Sequence, residues 1–255
     1  MVHESGSPQT AVLGIVVALQ REAKSLTKKS IPLRTPVKIA EQVVLIVSGM
    51  GPQQARAAAQ ILVQQGATAL LSWGTAAALD PDLRSGTLFI PDTIIDSEGH
   101  TYSTDTQWKA RLVTELSHSL RLANGNLITS FRIISTPQDK HELFKRHKCP
   151  ALDMESAALA AVAQAESIPF LAIRAIVDTA DMVLPNSVIS ALDNDGKPDI
   201  VKLISGLLFQ PQDWRALIRL TRSFHAAEKS LSSTIHKLGI NLAMPESPNT
   251  FTTTQ

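Results

Sequence analysis

Two carboxylates, Glu155 and Asp178, stand in matching frames, the first in Ala151-Leu-Asp-Met-Glu155 and the second in Arg174-Ala-Ile-Val-Asp178. An alanine-rich helical segment and then an apolar strand at 169–177 separate them. That order brings both out at neighbouring strand ends, where open α/β sheets build their sites. Asp178 closes a mostly apolar run, so burial is expected to raise its pKa and let it hold a proton. A protonated aspartic acid can donate to N7 of a purine that is leaving a ribose and would leave poorly as an anion. Glu155 can accept from the ribose hydroxyls and stabilise an oxocarbenium-like transition state. The structural alternative is a bridge from Glu155 to Arg174, with Asp178 or Asp181 capping the next segment.

Other segments carry candidate chemistry. Glu22 sits just past the first apolar run, where a carboxylate can act as a base or orient a nucleophile; alone, it reads as a solvated first-turn glutamate. Gly49-Met50-Gly51 follows a strand pattern and precedes a helix, with Pro52 suited to the first helical position. It fails as a dinucleotide fingerprint, because Gln54 takes the third glycine position and no acidic residue ends the next strand. A turn that lets a small ligand approach the backbone and a purely structural turn both fit. Gly74-Thr-Ala-Ala-Ala78 is a passage of small residues whose Thr75 hydroxyl suits phosphate, water or ribose, and close packing fits it equally.

Several classes drop out. The histidines show no metal-ligand spacing, so no metal is expected, and there is no G-x-S-x-G of a serine hydrolase. The single cysteine, Cys149, excludes a disulfide framework and fits a reduced compartment. A net charge of +1 from 24 basic and 23 acidic residues lacks the basic excess of a duplex-binding domain, so nucleic acid is not an expected partner. The apolar run at 11–19 has no basic region before it and is too short to cross a bilayer. It reads as the buried first strand of a cytoplasmic protein.

Positioning these groups calls for an α/β scaffold. Strand-like runs occur at 11–19, 42–48, 67–73, 87–95, 126–130 and 169–177, several without polar alternation, as in strands covered on both faces. Helical patterns at 53–65, 106–122, 138–147 and 155–166 alternate with them, giving an α/β protein with a largely parallel sheet. His141 and His147, on or near the polar face of the third helix, read as solvated. With 255 residues, 44% of them hydrophobic, the chain suits one domain, taken as 11–244, with loose ends at 1–10 and 245–255. After Asp181 come helix-like segments, a polar loop at 193–197 and a long helical pattern at 212–238. That last helix carries Trp214, Leu217, Ile218, Thr221 and Phe224 at helical spacing, with Arg215, Arg219, Arg222 and Lys229 on other faces. Core packing is favoured there over a membrane-surface role.

Taken together, the motifs resemble the nucleoside phosphorylase family that includes the 5′-methylthioadenosine/S-adenosylhomocysteine nucleosidases. The landmarks appear in the family's order: Gly14 to Glu22, Ser48-Gly-Met-Gly51, Gly74 to Ala78, Asp153-Met-Glu155 and Arg174 to Asp178. Each is weak singly and the ordered set is specific. The resemblance implies a three-layer αβα fold with a central, largely parallel mixed sheet and a helical C-terminal extension. It makes Asp178 the acid that meets purine N7 and Glu22 the residue that orients water. Met154 and Glu155 would hold the ribose, and Met50 would line the pocket for the 5′ substituent. Thr75, Ala77, Ile133 and Ile134 complete the implied substrate contacts. Thr75, Lys24 and Gly51 form the implied phosphate-binding set, with inorganic phosphate as co-substrate and no other cofactor. Asp at position 178, rather than the Asn of some guanine-type relatives, suits a 6-aminopurine such as adenine.

A closer likeness is to the hopanoid-associated branch, and that likeness implies removal of adenine from adenosylhopane. It rests on Asp153-Met-Glu-Ser156, the Glu-Ala-Lys stretch at 22–24, the stretch at 178–185, the segment at 191–196 and the long final helix. Phe131, where relatives often have Asp, the glycine-poor loop at 74–78 and the bulky Trp73 depart from that branch. Three readings follow. The favoured one is phosphorolysis of adenosylhopane, with Lys24 and Arg21 favouring a phosphate acceptor. The second is a hydrolytic nucleosidase acting on 5′-methylthioadenosine or S-adenosylhomocysteine. The third is a non-catalytic nucleoside-binding relative. The resemblance also implies a homo-oligomer and, for a lipid-linked substrate, peripheral contact of the basic C-terminal helix with the inner face of the membrane.

Overall fold

The computed structural model describes residues 11–184 and 213–245. The tails at 1–10 and 246–255, the loop at 193–197 and the side chains of Trp214 and Arg215 lie outside the described residues. In chain order the elements are β1 (Leu13–Val17), α1 (Gln20–Ala23), β2 (Val37–Ala40), β3 (Val43–Val47), α2 (Pro52–Gln64) and β4 (Ala69–Ala78). Then come β5 (Leu88–Phe89), β6 (Thr93–Ile95), β7 (Thr101–Ser103), α3 (Thr106–Leu116), β8 (Leu122–Ala123) and β9 (Asn126–Thr129). The last are α4 (Pro137–His147), β10 (Ala151–Asp153), α5 (Ser156–Ala165), β11 (Phe170–Asp178) and α6 (Asp213–Leu238).

All strands join one mixed sheet, with β2-β3-β1-β4-β10-β9-β6-β7 along one path and β11, β5 and β8 branching from β4. The long β4 organises it. β1 pairs parallel with its first half and β10 pairs antiparallel with Ala77 and Ala78, while β11 runs parallel along the other edge. Strand alternation then divides the core. Leu13, Ile15 and Val17, with Leu71, Trp73, Leu171 and Ile173, face a cluster that includes Trp108 and Leu112 of α3 and Ala227 and Leu231 of α6. Val16, Leu70, Ala76, Ala172 and Ile176 face the opposite cluster, built on Ala58, Ala59 and Leu62 of α2 and Leu159 of α5. This is the expected three-layer αβα arrangement.

Local chemistry moved some boundaries. The run at 87–95 divides at Pro91, which has no N–H for a ladder, so β5 pairs with β11 and β8 while β6 pairs with β9 and β7. The helix expected at 106–122 ends at Leu116, and Leu122 and Ala123 pair with β5 instead. The short β2, β7, β8 and β10 lie outside the runs read from sequence. α6 packs as expected of a core helix, burying Leu220, Ala227 and Leu231, although Ile218 stays exposed. Among the described residues no helix is long and apolar enough to cross a membrane. Trp73 is fully buried in the core, its indole donating to Ser25 Oγ at 2.9 Å, which keeps its bulk away from the loop it precedes.

Candidate active site

A cavity of about 180 Å³ opens beyond the carboxyl ends of β1, β4, β10 and β11. Its lining includes Leu19 and Glu22 after β1, Met50 before α2, and Thr75, Ala76 and Ala77 of β4. Ile133, Ile134, Asp153, Met154, Glu155, Val177 and Asp178 continue the wall, with Leu184 and Phe224 of α6 closing it. All the catalytic and substrate-binding candidates read from sequence therefore meet in one place. Of the phosphate candidates only Thr75 does. Lys24 is exposed outside the cavity, and the Gly51 amide donates to Glu155 Oε1 at 2.9 Å.

Glu155 and Asp178 do not end adjacent strands. The far end of β4 lies between them, since Ala77 pairs with Leu152 on one side and Asp178 on the other. The β11 register shifts between Ile176 and Asp178. A regular strand would return Asp178 to the face that carries Arg174 and Ile176, so the irregularity re-aims the carboxyl at the strand end.

Glu22 is buried and accepts four hydrogen bonds. Oε2 takes the Ala18 and Leu19 amides at 3.1 and 3.0 Å, and Oε1 takes the Thr75 amide and hydroxyl at 2.8 and 2.9 Å. It is no solvated first-turn glutamate; its carboxylate ties the first loop to β4. Gly74 permits this. A Cβ there would lie 2.5 Å from Glu22 Oε1 and 2.8 Å from Arg174 Nη1.

Glu155 is 9% exposed. Burial, and next the neighbouring Asp153, push its pKa up to about 7 against the pull of Arg174 and the Gly51 amide. Gly51 holds φ +94°, a backbone state that side-chain-bearing residues rarely adopt, and so aims its N–H at Glu155.

The bridge to Arg174 that was the structural alternative for Glu155 falls instead to Asp153. Its Oδ2 meets Arg174 Nε at 2.9 Å and Nη2 at 2.8 Å, and its Oδ1 accepts from Thr129 Oγ1 at 2.7 Å. Arg174 Nη2 also donates to Ser72 Oγ and Ser156 Oγ at 2.6 and 3.1 Å. Burial works against the guanidinium's charge, but Asp153, Glu155 and Glu22 outweigh it and raise its pKa.

Asp178 is 4% exposed, and burial pushes its pKa up to about 6. Lys140 opposes that rise most strongly: its ammonium donates to Asp178 Oδ1 at 2.6 Å. Oδ2 is buried without a partner. Sequence reasoning passed over Lys140 because α4 reads as a polar helix. The available signal was spacing, since Lys140 shares a helix face with the half-buried Leu143 and Phe144. Among the described residues no group of three or more His, Cys, Asp or Glu is placed to hold a metal.

Fold and site together define an α/β protein whose buried carboxylates converge on a cavity at the strand ends. Residues 12–194 match the model of the phosphorylase superfamily, and the chain belongs to that family. It is an enzyme of the nucleoside phosphorylase and nucleosidase type. It is 24% identical over 201 residues to the 5′-methylthioadenosine/S-adenosylhomocysteine nucleosidase of Baumannia cicadellinicola subsp. Homalodisca coagulata, covering 68% of this chain and 88% of that one. The fold is similar to that of Helicobacter pylori 5′-methylthioadenosine/S-adenosylhomocysteine nucleosidase with butyl-thio-DADMe-Immucillin-A (TM-score 0.65, 17% identity, 90% of this chain and 99% of that one). Futalosine hydrolase of Helicobacter pylori strain 26695 is similar to the same degree, with a TM-score of 0.65, 17% identity and the same coverage.

Proposed function

We propose that the protein hydrolyses the N-glycosidic bond of a 5′-substituted adenosine and releases adenine. The observation that carries this reading is a buried acid with one unpartnered oxygen, Asp178 Oδ2, lining the same cavity as Glu155 and Glu22. Asp178 gives its proton to N7 as the C1′–N9 bond breaks and the bonding pair passes to the base. Glu155 accepts from the ribose hydroxyls while positive charge develops on the sugar ring. Water, oriented by Glu22 and Thr75, adds to C1′ and passes its proton to Glu22 Oε1 as the Thr75 hydroxyl turns from that oxygen.

Water is the acceptor that fits best. Glu22, Asp153, Glu155 and Asp178 all line the cavity, and no cationic side chain is among its described lining residues. A phosphate dianion calls for charge-assisted donors. Of the two cations expected to recruit it, Lys24 is exposed elsewhere, and Arg21 pairs with Glu228 and lies 4.7 Å over the Phe224 ring. Phosphorolysis of adenosylhopane is the second reading, supported by the apolar part of the cavity lining, in which Leu19, Met50, Ile133, Leu184 and Phe224 suit a large apolar 5′ group. Adenine release from 5′-alkylthioadenosines of increasing chain length tests both readings. Release from the short members without phosphate supports hydrolysis, and turnover confined to long-chain members with phosphate supports the second. No release from any member rejects both.

A further inference from the structure

We propose that Lys140 is the positioning residue for the general acid: it fixes Asp178 by one oxygen, leaves the other for the purine, and supplies the positive charge against which the proton is released. This rests on the role given to Asp178 above. The ammonium is fully buried and all three of its protons are placed, on Asp178 Oδ1 at 2.6 Å, Thr179 O at 2.9 Å and Met182 O at 2.9 Å. Those carbonyls belong to the turn that follows β11. One cation on α4 therefore fastens the strand end, its carboxyl and the next turn together, and Oδ2 is left buried and unpaired.

A bridge that served stability alone would be a poor choice, because desolvating two charges offsets most of their attraction. Its value lies in the proton transfer. Before the transfer Asp178 is neutral beside an ammonium. Afterwards the proton is on N7, the C1′–N9 pair is on the base, and the new carboxylate lies against Lys140. The ammonium thus stabilises the product of the transfer more than its reactant, which makes a buried acid strong enough to give up its proton. Among the described residues the remaining charges facing the pair are Asp181, on the turn after β11, and Arg219 of α6, which bind each other at 2.6 Å and largely cancel. Solvent returns the proton to Asp178 once adenine has left.

Lys140→Gln tests this, because its amide retains donors for the two carbonyls while removing the charge. The expected result is a folded protein whose kcat falls by about tenfold or more at pH 7. KM should stay within about threefold, and the alkaline flank of the kcat profile should move up by about one pH unit. A folded variant with the parental kcat and pH flank, or with only KM altered, overturns the proposal. If the variant does not fold, NMR of the ¹⁵N-lysine-labelled parent gives the answer. The slowly exchanging Nζ resonance that Asp178→Asn displaces should titrate together with the activity flank, and a resonance that stays still through that pH range overturns the proposal. This second readout needs no substrate. A parent that releases no adenine would therefore remove the proposed function while still leaving the pairing of Lys140 and Asp178 measured.

Discussion

Asp153, two residues before Glu155, holds the Arg174 guanidinium at 2.8 Å, and this contact divides structural from chemical work among neighbouring carboxylates. The cation anchored in the core belongs to Asp153, and Glu155 is left with one amide donor and room for a ligand. The two should respond differently to neutralisation. Asp153→Asn strands a buried guanidinium and should lower stability by about 3–5 kcal/mol, measured by denaturant unfolding. Glu155→Gln should stay within about 1 kcal/mol of the parent while kcat/KM for adenine release falls about 100-fold.

The pH profile follows from the two raised pKa values. Activity needs Asp178 protonated, with a pKa near 6, and Glu155 ionised, with a pKa near 7. The productive form is thus a minority species, and kcat/KM should trace a narrow bell with flanks near pH 6 and 7 that belong to the pair. Removing the Glu155 titration should erase the acid flank. The residual activity of Glu155→Gln should then only fall, as pH rises through about 6 and Asp178 loses its proton. A profile of that variant that rises with pH over the same range would contradict the assignment.

Gly74→Ala should act on chemistry through Glu22. The added methyl would overlap Glu22 Oε1 and crowd Arg174 Nη1, forcing the carboxylate off Thr75. We expect kcat to fall at least about tenfold together with a lower Tm, and a crystal structure of the variant should show Glu22 displaced.

Thr75 and Lys24 separate the two acceptors. Thr75→Val removes the hydroxyl that donates to Glu22 Oε1 and should cut kcat about tenfold. Lys24→Ala alters an exposed side chain outside the cavity and should change turnover by less than about twofold, at any phosphate concentration. A phosphate-dependent loss in Lys24→Ala would return that residue to the site.

Much of the site was legible because its residues occupy strand ends that the hydrophobic pattern marks. Apolar runs without alternation at 11–19, 67–73 and 169–177 located the carboxyl ends where Glu22, Thr75 and Asp178 stand. What escaped depended on tertiary neighbours. Asp153 and Glu155 are both acidic and differ only in which way short β10 and the cap of α5 turn them, so the structural alternative drew its bridge to Arg174 from the wrong one. Lys140 lies on a helix of mostly polar residues, and its burial is set by the turn at 179–182, which composition does not reveal. The irregular register at Val177 leaves no mark in a run of apolar residues, yet it aims the acid. Lys24 and Arg21 were counted toward phosphate from proximity in sequence, whereas neither lines the cavity: Lys24 is exposed, and Arg21 pairs with Glu228 over the Phe224 ring.

The most direct measurement is adenine release from a short 5′-alkylthioadenosine in ¹⁸O-water, with and without phosphate, by the parent and by Asp178→Asn. Release by the parent should be independent of phosphate, with one ¹⁸O at C1 of the sugar product, and should fall by about 100-fold or more in the variant. A sugar 1-phosphate lacking the label, or undiminished release by Asp178→Asn, would contradict hydrolysis driven by a buried acid at position 178.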